Sequence, residues 1–306
     1  MFATDQYQLL DFGAGRKLER FGPYVLDRPA PAAADTVPRA RELWPTADAR
    51  FERDSGAGRW SLQCEIEPSW YVHHGPLAFE IKLTEFGHLG IFPEQAENWK
   101  WIAQQVQLAG EPMRILNLFA YTGASTLAAA AAGAEVTHVD AAANVVGWAR
   151  RNAAASGLVD APVRWITEDA LKFVRRELKR GHRYQAVVLD PPGYGHGPRG
   201  ETWKLDAMLG ELLGLCLELT ADNRQFILIS CHSGDLAFAN ELLKLVVAEQ
   251  PSLRDAGTIT GRDMALISAE GARLPAGATV RWHAERPSTA KRSDHRAAGP
   301  PTHRPS

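Results

Sequence analysis

The sequence predicts an α/β protein in which a doubly wound parallel sheet follows a smaller β-rich domain. Three observations point there. From Arg114 onward, strand-length apolar runs alternate with helix-like segments, at lengths that suit parallel crossovers. Several of these runs end in turns carrying a carboxylate or a glycine, where an open parallel sheet holds its ligand. Before about Gly110 the rhythm differs, with short β-like runs broken by proline and glycine.

In chain order, residues 1–110 read as the β-rich domain, with strand-like runs at Phe21–Leu26 and Leu77–Leu83. Between them, Arg28–Pro45 holds Pro29, Pro31, Pro38 and Pro45 among alanines and reads as a loop or linker. Residues 111–285 form the second domain, with strands expected at 115–119, 135–140, 163–167, 186–190 and 226–230. Two late runs, 257–260 and 278–283, flank the loop 271–277 and are expected to close the sheet as an antiparallel pair. Residues 286–306 carry Arg286, Lys291, Arg292, Arg296 and Arg304 against Asp294, with little to bury. They read as a disordered basic tail, passive or weakly RNA-binding.

Composition narrows the class. With 306 residues, 45% hydrophobic and 23% charged, the chain suits a globular protein with ample core. A formal charge of −2 excludes a general polyanion coat, so nucleic acid would have to meet a local patch. Cys64, Cys216 and Cys231 are odd in number and widely spaced, which suits a reducing compartment and no zinc site. No apolar run reaches membrane-spanning length and no signal-peptide pattern opens the chain, so the expectation is a cytoplasmic protein with no membrane partner. Oligomeric state is not legible.

The turn after the first strand, Asn117–Thr126 (NLFAYTGAST), has one glycine where a dinucleotide site needs three. Gly123 permits the tight turn, and the helix it opens favours a carboxylate at its amino end. Asp140 ends the second strand about 20 residues later, where a carboxylate accepts from a ribose diol; it also suits a helix cap. Asp169 ends the third strand, placed either to accept from an adenine amino group or to cap the next helix. The fourth strand ends in Asp190-Pro191-Pro192-Gly193-Tyr194. Two prolines hold Asp190 and Pro191 extended and remove two N–H donors, leaving a carboxylate and bare carbonyls aimed at a cleft, with Tyr194 as a stacking face.

Together, NLFAYTGAST, THVDAA, EDALKF and LDPPGYGHG resemble the motifs of class I S-adenosylmethionine-dependent methyltransferases, over roughly residues 75–285. They are most similar to the bacterial group that includes the large-subunit ribosomal RNA cytosine-carbon-5 enzymes. The resemblance implies a Rossmann-like sheet of seven strands, one antiparallel, with S-adenosyl-L-methionine as cofactor and RNA, specifically rRNA, as partner. It places Asn117, Phe119, Tyr121, Thr122 and Gly123 around the methionine portion, Asp140 on the ribose, Asp169 near the adenine and Asp190 near the transfer centre. The stretch Thr84–Gln95 resembles the family's lead-in segment, in which a glycine, aromatics and a glutamine approach the site. Where the family ends this segment in Asp-Gln-Arg, this chain has Glu94-Gln95-Ala96, so no arginine stands there.

Carbon 5 of cytosine becomes nucleophilic only after a thiolate adds to the ring, so that chemistry requires a cysteine. Cys231, in Ser230-Cys-His-Ser233 at a strand end, is the candidate. The catalytic set expected is therefore Asp190, Pro191, Tyr194 and Cys231. His232 is a doubtful activator, because adjacent strand residues point opposite ways, and a small buried apolar role for Cys231 stays open. The rivals are an amine-directed RNA or small-molecule methyltransferase, a non-catalytic RNA-binding protein, and an NAD-dependent dehydrogenase, which the missing glycines disfavour. No P-loop, nucleophile elbow or HExxH zinc signature occurs. Lys172, Arg175, Arg176, Lys179, Arg180 and Arg183 recur at helical spacing, either as a phosphate track or as a solvated face. Trp60, Trp70, Tyr71, Trp99 and Trp101 read as core before base-stacking platforms.

Overall fold

A computed structural model describes residues 2–53, 58–232 and 256–285. The first 62 residues build a five-stranded sheet from β1 (Tyr7–Gly13), β2 (Arg16–Phe21), β3 (Tyr24–Pro29), β4 (Ala49–Arg53) and β5 (Gly58–Leu62). The expected single strand at Phe21–Leu26 is instead a hairpin turn. Gly22 adopts φ 58° there, so the apolar run divides between β2 and β3. The proline-rich stretch after β3 is tied down by Asp11, whose carboxylate accepts from the backbone of Arg39 and Ala40 and from Trp44 Nε1 at 2.8–3.2 Å. A second hairpin, β6 (Trp70–His74) and β7 (Leu77–Ile81), leads toward α1 (Ala96–Ala109).

The remaining chain alternates β8 (Arg114–Leu118), α2 (Ala124–Ala131), β9 (Glu135–Asp140), α3 (Ala143–Ala155), β10 (Val163–Thr167), α4 (Ala170–Lys179) and β11 (Ala186–Leu189). A small hairpin of β12 (Tyr194–His196) and β13 (Thr202–Lys204) follows, then α5 (Leu205–Leu219), β14 (Phe226–Cys231), β15 (Gly257–Ile267) and β16 (Arg273–Ala284). The seven-stranded sheet has the order β10-β9-β8-β11-β14-β16-β15, with β16 antiparallel to both neighbours. Strand order reverses between β8 and β11, which leaves a crevice at their carboxyl ends.

Side-chain alternation sorts each strand between two helical layers. Phe226 and Leu228 join an apolar cluster with Ile102 and Val106 of α1. Ile227, Ile229 and Cys231 join the opposite cluster, with Phe173 of α4 and Leu213 of α5. The last two strands run well beyond the stretches expected from sequence. Their added length carries Leu266 and Leu274 onto Leu9 and Phe12 of the first sheet, a tertiary contact that no local pattern announces. The expected tail at 286–306 lies outside the described residues.

Gly123, at the amino end of α2, has φ 91°, and a Cβ there would lie 3.1 Å from the Ala149 Cβ on α3. Left-handed backbone costs a non-glycine residue about 1–2 kcal/mol. Gly123→Ala is therefore expected to lower the unfolding free energy by about that amount in urea denaturation. An unchanged midpoint and slope would remove the steric account of this glycine.

Candidate active site

The crevice between β8 and β11 opens into a cleft of about 500 Å³. A narrower arm runs from it along the turn to the start of α2, and Phe92, Phe119, Tyr121 and Asp190 line both spaces. Two residues of the turn, Phe119 and Tyr121, hold left-handed backbone at φ 55° and 48°. Such conformations are costly for aromatic residues and persist only where the surroundings impose them.

Asp140 imposes one of them. Its Oδ2 accepts from the Tyr121 N–H at 2.9 Å and its Oδ1 from the Ala142 N–H at 3.0 Å, so one carboxylate clamps the turns after β8 and β9. Burial raises its pKa, opposed by the backbone hydrogen bonds from Ala142, Tyr121 and Ala141. A carboxylate has about four acceptor positions, so at least one remains for a ribose hydroxyl.

Asn117 and Thr122 act from beneath the turn. The Asn117 amide donates to Thr126 Oγ1 at 2.9 Å, and that hydroxyl lies 2.9 Å from His138 Nδ1. Burial pushes the His138 imidazole down to about 3, which keeps it neutral. Thr122 bonds through its hydroxyl to the Gly90 carbonyl and through its own carbonyl to Asn152. No side chain caps α2, and Gly123, Ala124 and Ser125 line the narrow arm, so its first N–H groups face open space. Asp169 caps α4, accepting from Lys172 N at 2.9 Å, and also lines the cleft.

At the end of β11, Asp190, Pro191, Pro192 and Gly193 line the cleft. One carbonyl expected to face it does not, because that of Pro192 accepts from Trp203 Nε1 at 2.7 Å. Asp190 Oδ1 accepts from Ser230 Oγ at 2.7 Å, which in turn accepts from the Gln95 amide at 2.9 Å. Behind Gln95 stands Asn98, which donates to Gln95 Oε1 and accepts from the Arg281 guanidinium. On the other side, His232 Nε2 lies 3.4 Å from Asp190 Oδ2 and its Nδ1 lies 3.4 Å from Glu94 Oε1. Burial opposes charge on this imidazole, but Asp190 and Glu94 outweigh it and hold its pKa up to about 11.

Two expected residues are not brought to the cleft. Cys231 is 1% exposed and points into the α4–α5 layer, the face opposite Ser230 and His232. Tyr194 is 58% exposed and packs edge-on against His196, outside the cleft lining. The sequence reading gave His88, Glu94 and Ser230 no role and weighed His232 only as a doubtful activator of Cys231. A period of two along Ser230-Cys231-His232 would have placed the first and third on one face. The helical basic stripe is largely consumed by ion pairs, with Lys172, Arg175, Arg176 and Arg183 meeting Glu201, Glu211, Glu168 and Asp222. Trp70 and Trp99 are buried in the core.

The S-adenosylmethionine-dependent methyltransferase family matches residues 20–256, more than half of the chain. The chain belongs to that family. An S-adenosylmethionine-dependent methyltransferase from Agrobacterium tumefaciens superposes with a TM-score of 0.85 at 35% identity, over 91% of this chain and 90% of that one. A second solved protein, in complex with S-adenosylhomocysteine, shares the fold, at 17% identity and TM-score 0.70 over 90% of this chain and 75% of that one. The ribosomal RNA large subunit methyltransferase K/L of Shewanella frigidimarina is 28% identical over 178 residues, 58% of this chain and 24% of its own length. The corresponding methyltransferase I of Aeromonas hydrophila is 28% identical over 204 residues, 66% of this chain and 47% of its length. The chain thus spans less than two thirds of either relative.

S-adenosylmethionine is the cofactor of that family. The site fits it. A lone glycine suffices because no pyrophosphate must approach the backbone, and the uncapped start of α2 suits the amino-acid carboxylate. Asp140 retains acceptor capacity for the ribose, and Asp169 stands farther along the same cleft. No group of three or more potential metal ligands occurs among the described residues, nor any helix long and apolar enough to cross a membrane.

Calorimetry should find S-adenosylmethionine bound roughly tenfold to a hundredfold more weakly by Asp140→Ala, since a charged hydrogen bond contributes about 1.5–3 kcal/mol. Undiminished affinity would place the ribose elsewhere. The raised pKa of His232 also makes a signed prediction. Its contribution to stability is full below about 6.5, the unperturbed value, and is lost as pH climbs toward about 11. The stability difference between wild type and His232→Gln should therefore shrink with rising pH, and NMR should find the imidazole still protonated near pH 8. A neutral ring at that pH would contradict the two-carboxylate arrangement.

Proposed function

We propose that this methyltransferase modifies a base of large-subunit ribosomal RNA, at a nitrogen. The observation that carries the reading is the placement of Asp190, a carboxylate at the cleft rim beside the space assigned to the cofactor. Support for the substrate class comes from relatives named ribosomal RNA large subunit methyltransferase K/L, K and I, at 24–28% identity.

The cofactor supplies a methyl group on a sulfonium, activated for in-line displacement. The chain's own contribution is alignment of the acceptor. Ser230 and His232 hold Asp190 with its carboxylate at the rim, ready to accept a hydrogen bond from a base N–H and orient the nitrogen lone pair. Pro191 and Pro192 keep that corner from relaxing. Once the methyl group has transferred, Asp190 is the acceptor nearest the proton that an exocyclic amine must release. His232 Nε2 stands 3.4 Å from the second carboxylate oxygen of Asp190 and fixes its direction.

Carbon 5 of cytosine is the second reading, favoured by the position of Cys231 at the strand end in Ser230-Cys-His. Its thiol points away from the cleft, into the apolar layer, so thiolate addition would need the end of β14 to turn over. Cys231→Ala separates the two. Nitrogen methylation should keep its rate within about twofold, whereas a covalent mechanism would lose orders of magnitude. Radiolabelled transfer to unmodified large-subunit rRNA, followed by nucleoside mass spectrometry, identifies the atom. Transfer to small molecules alone would remove RNA as the substrate.

A further inference from the structure

A second cavity, of about 440 Å³, adjoins the cofactor cleft, and His88 and Phe92 line both. Its far wall comes from the N-terminal sheet. Lys17, Arg28 and Arg53 face it, and among the described residues Glu94 is the one acid in its lining. Beneath, Glu19 takes a bidentate pair from Arg28 and lies 3.1 Å from Lys17, so one carboxylate offsets two cations. Glu94 is matched by His232. Arg53 donates to the Phe86 carbonyl at 3.0 Å, and no carboxylate lies within salt-bridge distance of it among the described residues. The cavity is therefore left with a net positive balance. His88 senses it: burial first, then Arg28, Arg53, His232 and Lys17, hold its pKa low, so the ring between the two spaces is neutral.

Two further features point to a ligand. Phe86, in the cavity's lining, is 62% exposed, an aromatic face standing in solvent beside cations. Glu94 Oε2 is buried yet has no hydrogen-bond partner among the described residues, an acceptor awaiting a sugar hydroxyl or a base N–H. Cations flanking an exposed aromatic make the surface that single-stranded nucleic acid recognises, through its phosphates and base faces.

We propose that this cavity is a second nucleotide subsite, holding the residue next to the target in the RNA strand, with its base on Phe86 and its phosphate at Lys17 and Arg53. The proposal rests on the RNA reading above. The strand then passes over His88 and Phe92, so that one nucleotide enters the cofactor cleft while its neighbour is gripped by the N-terminal sheet. This assigns that sheet a substrate-positioning role.

The test uses the full chain, a labelled single-stranded RNA oligomer of mixed sequence, and unmodified large-subunit rRNA. Phe86→Ala should weaken oligomer binding by about five- to a hundredfold, the usual range for losing one stacked base. Arg53→Gln should lower the slope of log affinity against log salt by about 0.7. Both should raise KM for rRNA and leave kcat at saturating RNA and S-adenosylmethionine affinity unchanged. Wild-type RNA affinity in both variants, with methyl transfer to rRNA intact, would overturn the subsite and leave the RNA reading standing. An S-adenosylmethionine affinity that fell in parallel would overturn it too, since the damage would then lie in the fold. If the wild-type protein neither binds the oligomer nor methylates rRNA, both readings fall.

Discussion

Two hydrogen bonds to one carboxylate hold the cofactor cleft in shape. Asp140, at the end of β9, receives the N–H groups of Tyr121 and Ala142, and so joins the turn after β8 to the turn after β9. The bond to the Tyr121 N–H offsets part of the cost of that residue's left-handed backbone and helps keep its ring on the cleft wall. The adjacent Gly123 allows α2 to start close against α3 with no side chain over its first N–H groups. The cleft thus presents a carboxylate already partly occupied by the protein, with its remaining lone pairs in a set direction.

The reacting end is organised by a longer chain of contacts. From Arg281 on the antiparallel strand, hydrogen bonds run through Asn98, Gln95 and Ser230 to Asp190, with His232 and Glu94 alongside. Three separate parts of the chain meet there: the lead-in segment before α1, the end of β11 and the end of β14. Buried polar chains of this kind stay rigid when every member is satisfied. Here the Glu94 oxygen that has no partner among the described residues falls at the junction between the cofactor cleft and the basic cavity.

Much of the second half of the chain was legible because its information is local. Strands buried on both faces and helix-length crossovers leave their signature in consecutive residues, and a parallel sheet then dictates that Asp140, Asp169 and Asp190 end successive strands on one rim. The lone glycine and the double proline likewise state a backbone requirement at a single position. The N-terminal half was less legible. Gly22 divides one apolar run into two strands, and the length of β15 and β16 depends on contacts with the first sheet.

What the sequence determined by itself was the sheet and its carboxylate-bearing rim, since short-range sterics and periodicity set both, while the cofactor followed from the resemblance of the motifs to a family. Tertiary structure alone decided which side chains face the cleft. Strand register turned Cys231 into the core and Ser230 toward Asp190, and the packing of the lead-in segment brought Glu94 and Gln95 to His232. Glu94 and Gln95 lie more than a hundred residues from His232 in the chain, so no local pattern records their meeting. It follows only once the apolar layers have been buried and the polar groups caught between them have found partners.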